Sequence, residues 1–462
     1  MRSTWLGLGL GMLTLIGCNA LWQGYLSPID DPLVDASVDE LDLSGADLTG
    51  VPPPDLTGAD FTGVSPPDLI MPPKPCGLTT AKSGVFSYST YATAIPLASL
   101  AASKLAVMDI DKDGLAEVAV STTSSPVKVF KLSGAPTCVF GAATDCIVND
   151  AIADLRGLSI DGTAGAFVVA RSNASANAIS TCTGIPINHK TIMNGNFASN
   201  SPRRELTVPP LKSNTNGIFI LHEKSSNSSD RVNSVKLDAT AGLASTVMLV
   251  NLDINNNFEP RNATGARIDD AAPDGTLDVI ALEVNGSMGR MRAYNNNHMA
   301  TPATVKGTAT LTANFADLNR ITSARLSNDS FDDAVVIVTS TDPPQIVPHI
   351  ISAGGTITPK SAISINIPVA SADRSKLMFT DLDADGIDEL IAINGSNVSI
   401  YAYNAAANTL SVPRNLAVRG GYTAVAIALG YSEKNLSSGP PDIFVIANSG
   451  GTNEVGVFRW LP

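Results

Sequence analysis

Two near-identical nonapeptides, DIDKDGLAE at Asp109 to Glu117 and DLDADGIDE at Asp381 to Glu389, each stand between short apolar, β-branched runs. A hard cation such as calcium takes about six to eight oxygens, so acidic side chains at alternate positions of a tight turn must converge on one point. Asp109, Asp111 and Asp113 have that spacing in the first copy, and Asp381, Asp383 and Asp385 in the second. The sixth position is Gly114 or Gly386, where the chain reverses and a residue without a Cβ adopts positive φ freely. Backbone carbonyls of Leu115 and Ile387 and carboxylates of Glu117 and Glu389 complete the two expected shells. An EF-hand needs flanking helices and a Glu at position 12, whereas the flanks here are KLAVM and VAVST and that position is Val120. The nonapeptides are therefore read as strand-loop-strand calcium sites. A plain Asp-Gly hairpin turn without an ion predicts the same local backbone.

Repetition extends the reading to the whole chain. An apolar strand, a polar loop and a second β-branched strand recur in seven units, beginning at Leu105, Leu155, Met193, Met248, Thr322, Lys376 and Ala424. Their spacing is roughly 40 to 75 residues, around the length of a four-stranded propeller blade. Apolar residues after the leader alternate or run in short stretches such as AVVIV and DIFVIA, with turn clusters between them and little helical periodicity. PVKVFKLSG from Pro126 supplies a third strand for the first unit. The expected fold is all-β, a seven-bladed β-propeller with DxDxDGxx[DE] calcium loops. Such a ring must join its ends to avoid open sheet edges, and EVGVFRWL from Glu454 is expected to pair with GVFSYSTY from Gly84.

At these residues the chain resembles the FG-GAP/VCBS family of calcium-loop β-propellers, the architecture of the integrin α-chain head. The resemblance spans about Gly77 to Pro462, with a specific motif at the two nonapeptides. A third, interrupted match comprises Asp253, Asn255, Asp274, Gly275 and Asp278. The unit at Arg325, Ser327, Asp329 and Asp333 has lost its first acidic ligands and is expected to be empty, and the units at Leu155, Met193 and Ala424 keep only the strand-loop-strand outline. Tryptophan-docking propellers fit less well, because the chain has only Trp5, Trp22 and Trp460. Val, Ile, Leu and Ala must pack its blades.

The opening MRSTWLGLGLGMLTLIGCNA has one basic residue and an apolar stretch too short for a membrane span. It ends in Leu15-Ile16-Gly17-Cys18, which looks like a bacterial lipobox, and that resemblance implies a signal peptide over residues 1–18 cut to leave a lipidated Cys18. Asn19 in place of Asp favours the outer membrane of a Gram-negative envelope, with the head facing the periplasm or the exterior. Several acyl chains give stable anchoring at ~0.8 kcal/mol per buried methylene. Residues 19–76 are rich in Pro, Asp, Gly and Thr and contain a tandem DLSGADLTGVPPPDL/DLTGADFTGVSPPDL repeat broken by proline. They are read as a disordered, extended linker or stalk before the head at 77–462.

The chain carries a net charge of −13. The stalk has ten acidic residues against Lys74, and Arg2 makes the leader positive, which leaves the head only mildly acidic at −5. No basic stripe for nucleic acid appears, and the adjacent pair Arg203-Arg204 is expected at a solvated strand end. Beyond Cys18, the cysteines Cys76, Cys138, Cys146 and Cys182 are disulfide candidates in an oxidising compartment. A Cys138–Cys146 hairpin bridge with Cys76–Cys182 is favoured, and the other two connectivities stay open. His189, His222, His298 and His349 are scattered, with neither HExxH nor a GxSxG elbow.

The expectation is a lipid-anchored, non-catalytic binding or adhesion module with structural calcium and an unknown protein or glycan ligand. The alternatives are an envelope polysaccharide-active enzyme and an outer-membrane assembly scaffold.

Overall fold

The computed structural model describes residues 85–90 and 104–461, apart from connections at 122–125, 134–139, 149, 161–164, 173–177, 193–202, 209–216, 225–230, 252–257, 269–276, 286–287, 297–303, 312–319, 330, 353, 372–375 and 432–440. The chain divides into Met1–Leu69 and Ile70–Pro462, and only the second unit contains described residues. The leader, the stalk, Cys18 and Cys76 therefore lie outside them.

Among the described residues there is no α-helix, and seven antiparallel sheets of four or five strands follow one another along the chain, with a two-stranded ribbon of Tyr403–Asn404 and Thr409–Leu410 beside the sixth. Blade 1 comprises Lys104–Met108, Glu117–Ser121, Val127–Lys131 and Thr144–Cys146. Blade 2 comprises Ile152–Ser159, Gly165–Arg171, Ile179–Thr183 and Asn188–Ile192, and blade 3 Arg203–Thr207, Ile218–Lys224, Arg231–Leu237 and Leu243–Asn251. Blade 4 is Glu259–Ala266, Asp278–Asn285, Met288–Asn295 and Thr304–Leu311, and blade 5 Arg320–Ala324, Asp333–Val338, Gln345–Ile351 and Ile357–Pro359, with Ile363–Ser364 also paired to its third strand. Blade 6 is Leu377–Thr380, Glu389–Asn394, Asn397–Tyr401 and Arg414–Ala417. Blade 7 takes Thr423–Gly430, Asp442–Ser449 and Thr452–Leu461 from the end of the chain and Val85–Thr90 from before blade 1.

That last pairing closes the ring as expected. Val85 opposes Leu461 and Thr90 opposes Gly456, so the strand that begins the head completes the blade that ends it. The turn feeding the final strand is Gly450-Gly451, whose φ values of +55° and +90° suit a two-residue primed turn.

The core shows why short β-branched runs give this architecture. Second strands such as EVAVS, GAFVVAR and DAVVIV are buried at every residue, because each lies between two neighbouring blades. Side chains alternate across a strand, so one run feeds two cores. Val118 and Val120 join Ala426, Phe444 and Val457 between blades 1 and 7, while Ala119 joins Leu155, Phe167 and Val169 between blades 1 and 2. The other interblade seams repeat the pattern, with Phe219 at 2/3, Val279 at 3/4, Val336 at 4/5, Leu390 at 5/6 and Ile391 at 6/7. The apolar interior is thus a circle of wedges, each large side chain contributing about 1.5–3 kcal/mol by burial. Blade-to-blade contact runs unbroken round the circle and returns from blade 7 to blade 1.

Polar ties supplement the wedges on the first strands. Leu206 N–H donates to Asp154 Oδ2 at 2.9 Å, Asn262 Nδ2 donates to Glu205 Oε2 at 2.8 Å, and Ile321 N–H donates to Asn262 Oδ1 at 3.3 Å. They link blades 2, 3, 4 and 5 in sequence.

Several expectations need correction. Arg204 is not at a solvated strand end: it is 1% exposed, with Nε 2.8 Å from Glu223 Oε1 and its guanidinium also donating to the Arg171 carbonyl. The disulfide joins Cys146 to Cys182, not Cys138 to Cys146 or Cys76 to Cys182. It staples the outer strand of blade 1 to the third strand of blade 2, a seam already buried by apolar side chains. Cys138 lies outside the described residues. The unit expected from Met193 is displaced, since the hairpin pairs Arg203–Thr207 with Ile218–Lys224.

Candidate metal centres

Each nonapeptide connects the first and second strands of its blade, 1 or 6. The two loops fold alike because their aspartates cap the turn from inside. In the first, Asp109 accepts the N–H groups of Lys112 at 2.7 Å and Gly114 at 3.1 Å, Asp111 accepts Asp113 N–H at 3.3 Å, and Asp113 accepts Leu115 N–H at 2.9 Å. In the second, Asp381 accepts Gly386 N–H at 3.1 Å, Asp383 accepts Asp385 N–H at 3.2 Å, and Asp385 accepts Ile387 N–H at 2.7 Å. Positive φ falls at the fourth and sixth positions of both, Lys112 (+70°) and Gly114 (+87°), Ala384 (+63°) and Gly386 (+90°). Leu115 and Ile387, the expected carbonyl donors, send their side chains into the interblade core.

The last residue of each motif ties the loop to its strand. Glu117 Oε2 accepts Ile110 N–H at 2.8 Å and Glu389 Oε2 accepts Leu382 N–H at 2.7 Å. Of the expected ligands, Asp109, Asp111 and Glu117 bring one oxygen each within 4.8 Å of the others in the first loop, and Asp381, Asp383 and Asp385 do so in the second. Burial, reinforced by the charges of Asp111, Asp109 and Asp113, pushes the Glu117 carboxyl up to about 9. Burial likewise pushes Glu389 up to about 8 and raises Asp109 and Asp383.

Two atoms test whether a cation fits. Glu117 is fully buried, and its Oε1 makes no hydrogen bond; Asp381 Oδ1 is likewise buried and without one. An ionised carboxylate oxygen can only accept, and facing other carboxylates it has no protein donor to accept from. A hard cation would satisfy such atoms and offset the repulsion among their neighbours, so both clusters could hold a metal ion.

The degenerate loops differ at the equivalent atoms. Asp333 in blade 5 accepts Leu326 N–H at 2.9 Å on one oxygen and Ile351 N–H at 2.7 Å on the other, and Ser327 Oγ lies 3.0 Å from both Asp329 and Asp333. Asp278 in blade 4 accepts Ile268 N–H and Asn296 N–H on its two oxygens. The shorter Asp lets both oxygens meet backbone donors, whereas Glu at the same place leaves one over. The interrupted third match falls mostly outside the described residues. The described strand Glu259–Ala266 interrupts it, and Asp278 begins the next strand. Asp253, Asn255 and Asp274 themselves lie outside the described residues.

Sequence reasoning missed two kinds of residue. Asp388 and Asp332, at the eighth motif position, clasp the preceding blade: Arg325 N–H donates to Asp388 Oδ2 at 2.8 Å while Asp388 N–H donates to the Arg325 carbonyl at 2.7 Å. Asp332 and Arg267 repeat this exchange at 2.9 and 2.7 Å. The doublets Asp332-Asp333 and Asp388-Glu389 were the available signal, and Ala116 replaces the clasp in blade 1. The second is Lys131, whose Nζ meets Asp111 and lies 2.8 Å from Asp113 Oδ2.

No protein-family model matches the chain, and no curated protein does. Among solved structures it is similar to a protein from Lactobacillus plantarum, with 14% identity over 68% of this chain and 84% of that one and a TM-score of 0.42. It is similar to an Agrocybe aegerita lectin described for specific recognition of non-reducing terminal N-acetylglucosamine, with 12% identity over 68% and 80% and a TM-score of 0.43. It is also similar to the Dos1 propeller, with 13% identity over 75% and 76% and a TM-score of 0.42. The circle of seven interblade cores and the terminal strand that closes it make this chain a seven-bladed β-propeller.

Proposed function

We propose that the protein is a lipid-anchored β-propeller of the cell envelope, stiffened by calcium in the loops of blades 1 and 6, that acts as a binding module without catalysis. The observation that carries the metal is the pair of buried carboxylate oxygens without partners, one in each loop, among converging aspartates. The resemblance of the two loops to FG-GAP/VCBS repeats supports the same ion. The acidic side chains that stand out in the sequence are occupied in turn geometry and in holding that ion, and this favours a scaffold for presenting loops over a site for bond cleavage. The lipobox-like Leu15-Ile16-Gly17-Cys18 supports the anchor, and the oxidised Cys146–Cys182 pair suits an extracytoplasmic compartment.

Cys18→Ala tests the anchor: the protein should leave the membrane fraction and lose incorporation of labelled fatty acid, and unchanged membrane association would refute that part. Isolated envelope polysaccharide and outer-membrane protein, presented separately in calcium and in chelator, test the module. Saturable, calcium-dependent retention without new reducing ends supports binding, while steady release of reducing ends would make the protein an enzyme.

A further inference from the structure

The two loops share a backbone and a motif, yet their surroundings differ in charge. Lys131 stands directly across the ladder from Glu117 in blade 1. Its ammonium reaches over the loop to Asp111 and to Asp113 Oδ2, 2.8 Å away, and so offsets one unit of the negative charge that two of the expected ligands share. It leaves Glu117 Oε1, fully buried, without a partner. In blade 6 the ladder pairs Leu390 with Tyr401, and the next residue outward, facing the Glu389 end, is Ala402, which is exposed. Among the described residues no ion pair to Asp381, Asp383 or Asp385 is found.

We propose that Lys131 is a tethered counter-ion of the first loop that calcium must displace, so that the two loops fill at different calcium concentrations, the second before the first. The proposal rests on the calcium reading above. An ammonium offers only a single charge and three donors, and while it holds the two outer aspartates the inner Glu117 oxygen stays without a partner. A divalent ion at the centre of the loop serves Asp109, Asp111 and Glu117 together, but it must first break the lysine contacts. Among the described residues, the loop of blade 6 has no such competitor. Loop 1 is also braced by blade 2, where Gly184 N–H donates to the Ile110 carbonyl at 3.1 Å and a Cβ on Gly165 would lie 2.3 Å from the Asp109 carbonyl. The lysine therefore holds a cation-free loop 1 in shape against a neighbour that leaves it little room.

The test uses the full chain and calcium itself as the probe, by calorimetry. Asp381→Ala with Asp383→Ala isolates loop 1, and Asp109→Ala with Asp111→Ala isolates loop 2. Loop 2 should bind more tightly, and Lys131→Met should tighten loop 1 by roughly tenfold, a change well inside the range over which ligand charge tunes calcium loops. The converse substitution Ala402→Lys, at an exposed position that tolerates change, should weaken loop 2 by a similar factor. Equal affinities in the two loops, with neither lysine substitution moving them, would overturn the proposal while leaving calcium binding intact. Absence of calcium binding in both isolated loops would instead overturn the calcium reading on which it rests.

Discussion

Glu117 and Glu389 carry the clearest consequence of the loop chemistry. Their carboxyls, ordinarily at 4.5, are pushed up to about 9 and about 8, by burial first and then by the neighbouring aspartates. A carboxyl with a raised folded pKa binds protons more tightly in the folded state. Its stabilisation is complete below the unfolded value and is lost as pH rises through the folded one. The melting temperature in chelator should therefore decline between about pH 4.5 and pH 9, and saturating calcium should flatten that decline. Calcium binding at neutral pH should also release protons, which calorimetry in buffers of different ionisation heat reads directly. Glu117→Gln should remove part of the pH dependence and the calcium response of loop 1 together. A separate prediction concerns Gly386, at φ +90° with nothing within 4 Å of a Cβ built on it. Gly386→Ala should cost about 1–2 kcal/mol in urea melts through backbone conformation alone. The aspartates and glycines of these loops were readable because the turn they cap, with its positive φ, restricts both residue type and spacing. Lys131 was not, because it reaches the loop from the third strand, across a ladder whose register the sequence does not state.

The elements are strands whose value lies at the seams between blades. Phe444 is fully buried in the core between blades 7 and 1, and Phe444→Ala should destabilise the protein by about 3–5 kcal/mol. The Cys146–Cys182 bridge spans 36 residues and two blades, so replacing both cysteines by alanine should cost about 2–4 kcal/mol in denaturant melts. Non-reducing peptide mapping that found Cys138 bonded to Cys146 would contradict the assignment. Strands announced themselves where β-branched runs are buried on both faces, as in blades 1, 2, 5, 6 and 7. They were hidden where polar residues make interblade bonds. EPRNATGA falls within the interruption of the third match, yet its Asn262 joins blade 3 to blade 5, and RRELT reads as a solvated end, yet its Arg204 is buried against Glu223. Hydropathy patterns cannot register a strand whose side chains are satisfied by partners far along the chain.

At the scale of the molecule, ring closure decides whether seven sheets behave as one body. Val85–Thr90 covers the edge of the last blade, and its pairing partner was readable because two apolar strands stood unmatched at opposite ends of the head. Removing residues up to Thr90 should expose the Thr452–Leu461 edge and lower both melting temperature and solubility, measured by scattering during thermal ramps. The loops of blades 1 and 6 divide the circle unequally, with four blades on one side and one on the other. Calcium should accordingly slow amide hydrogen exchange most in those two blades and their immediate neighbours. The central claim is that calcium stiffens this ring through the two loops, and the most direct measurement is a calcium titration by calorimetry and thermal melting beside an Asp109→Ala, Asp381→Ala double variant. Saturable binding and a raised melting temperature are expected in the native protein, both lost in the variant. No heat and no thermal shift at several times the ~10⁻³ M upper limit for extracellular calcium modules would contradict it.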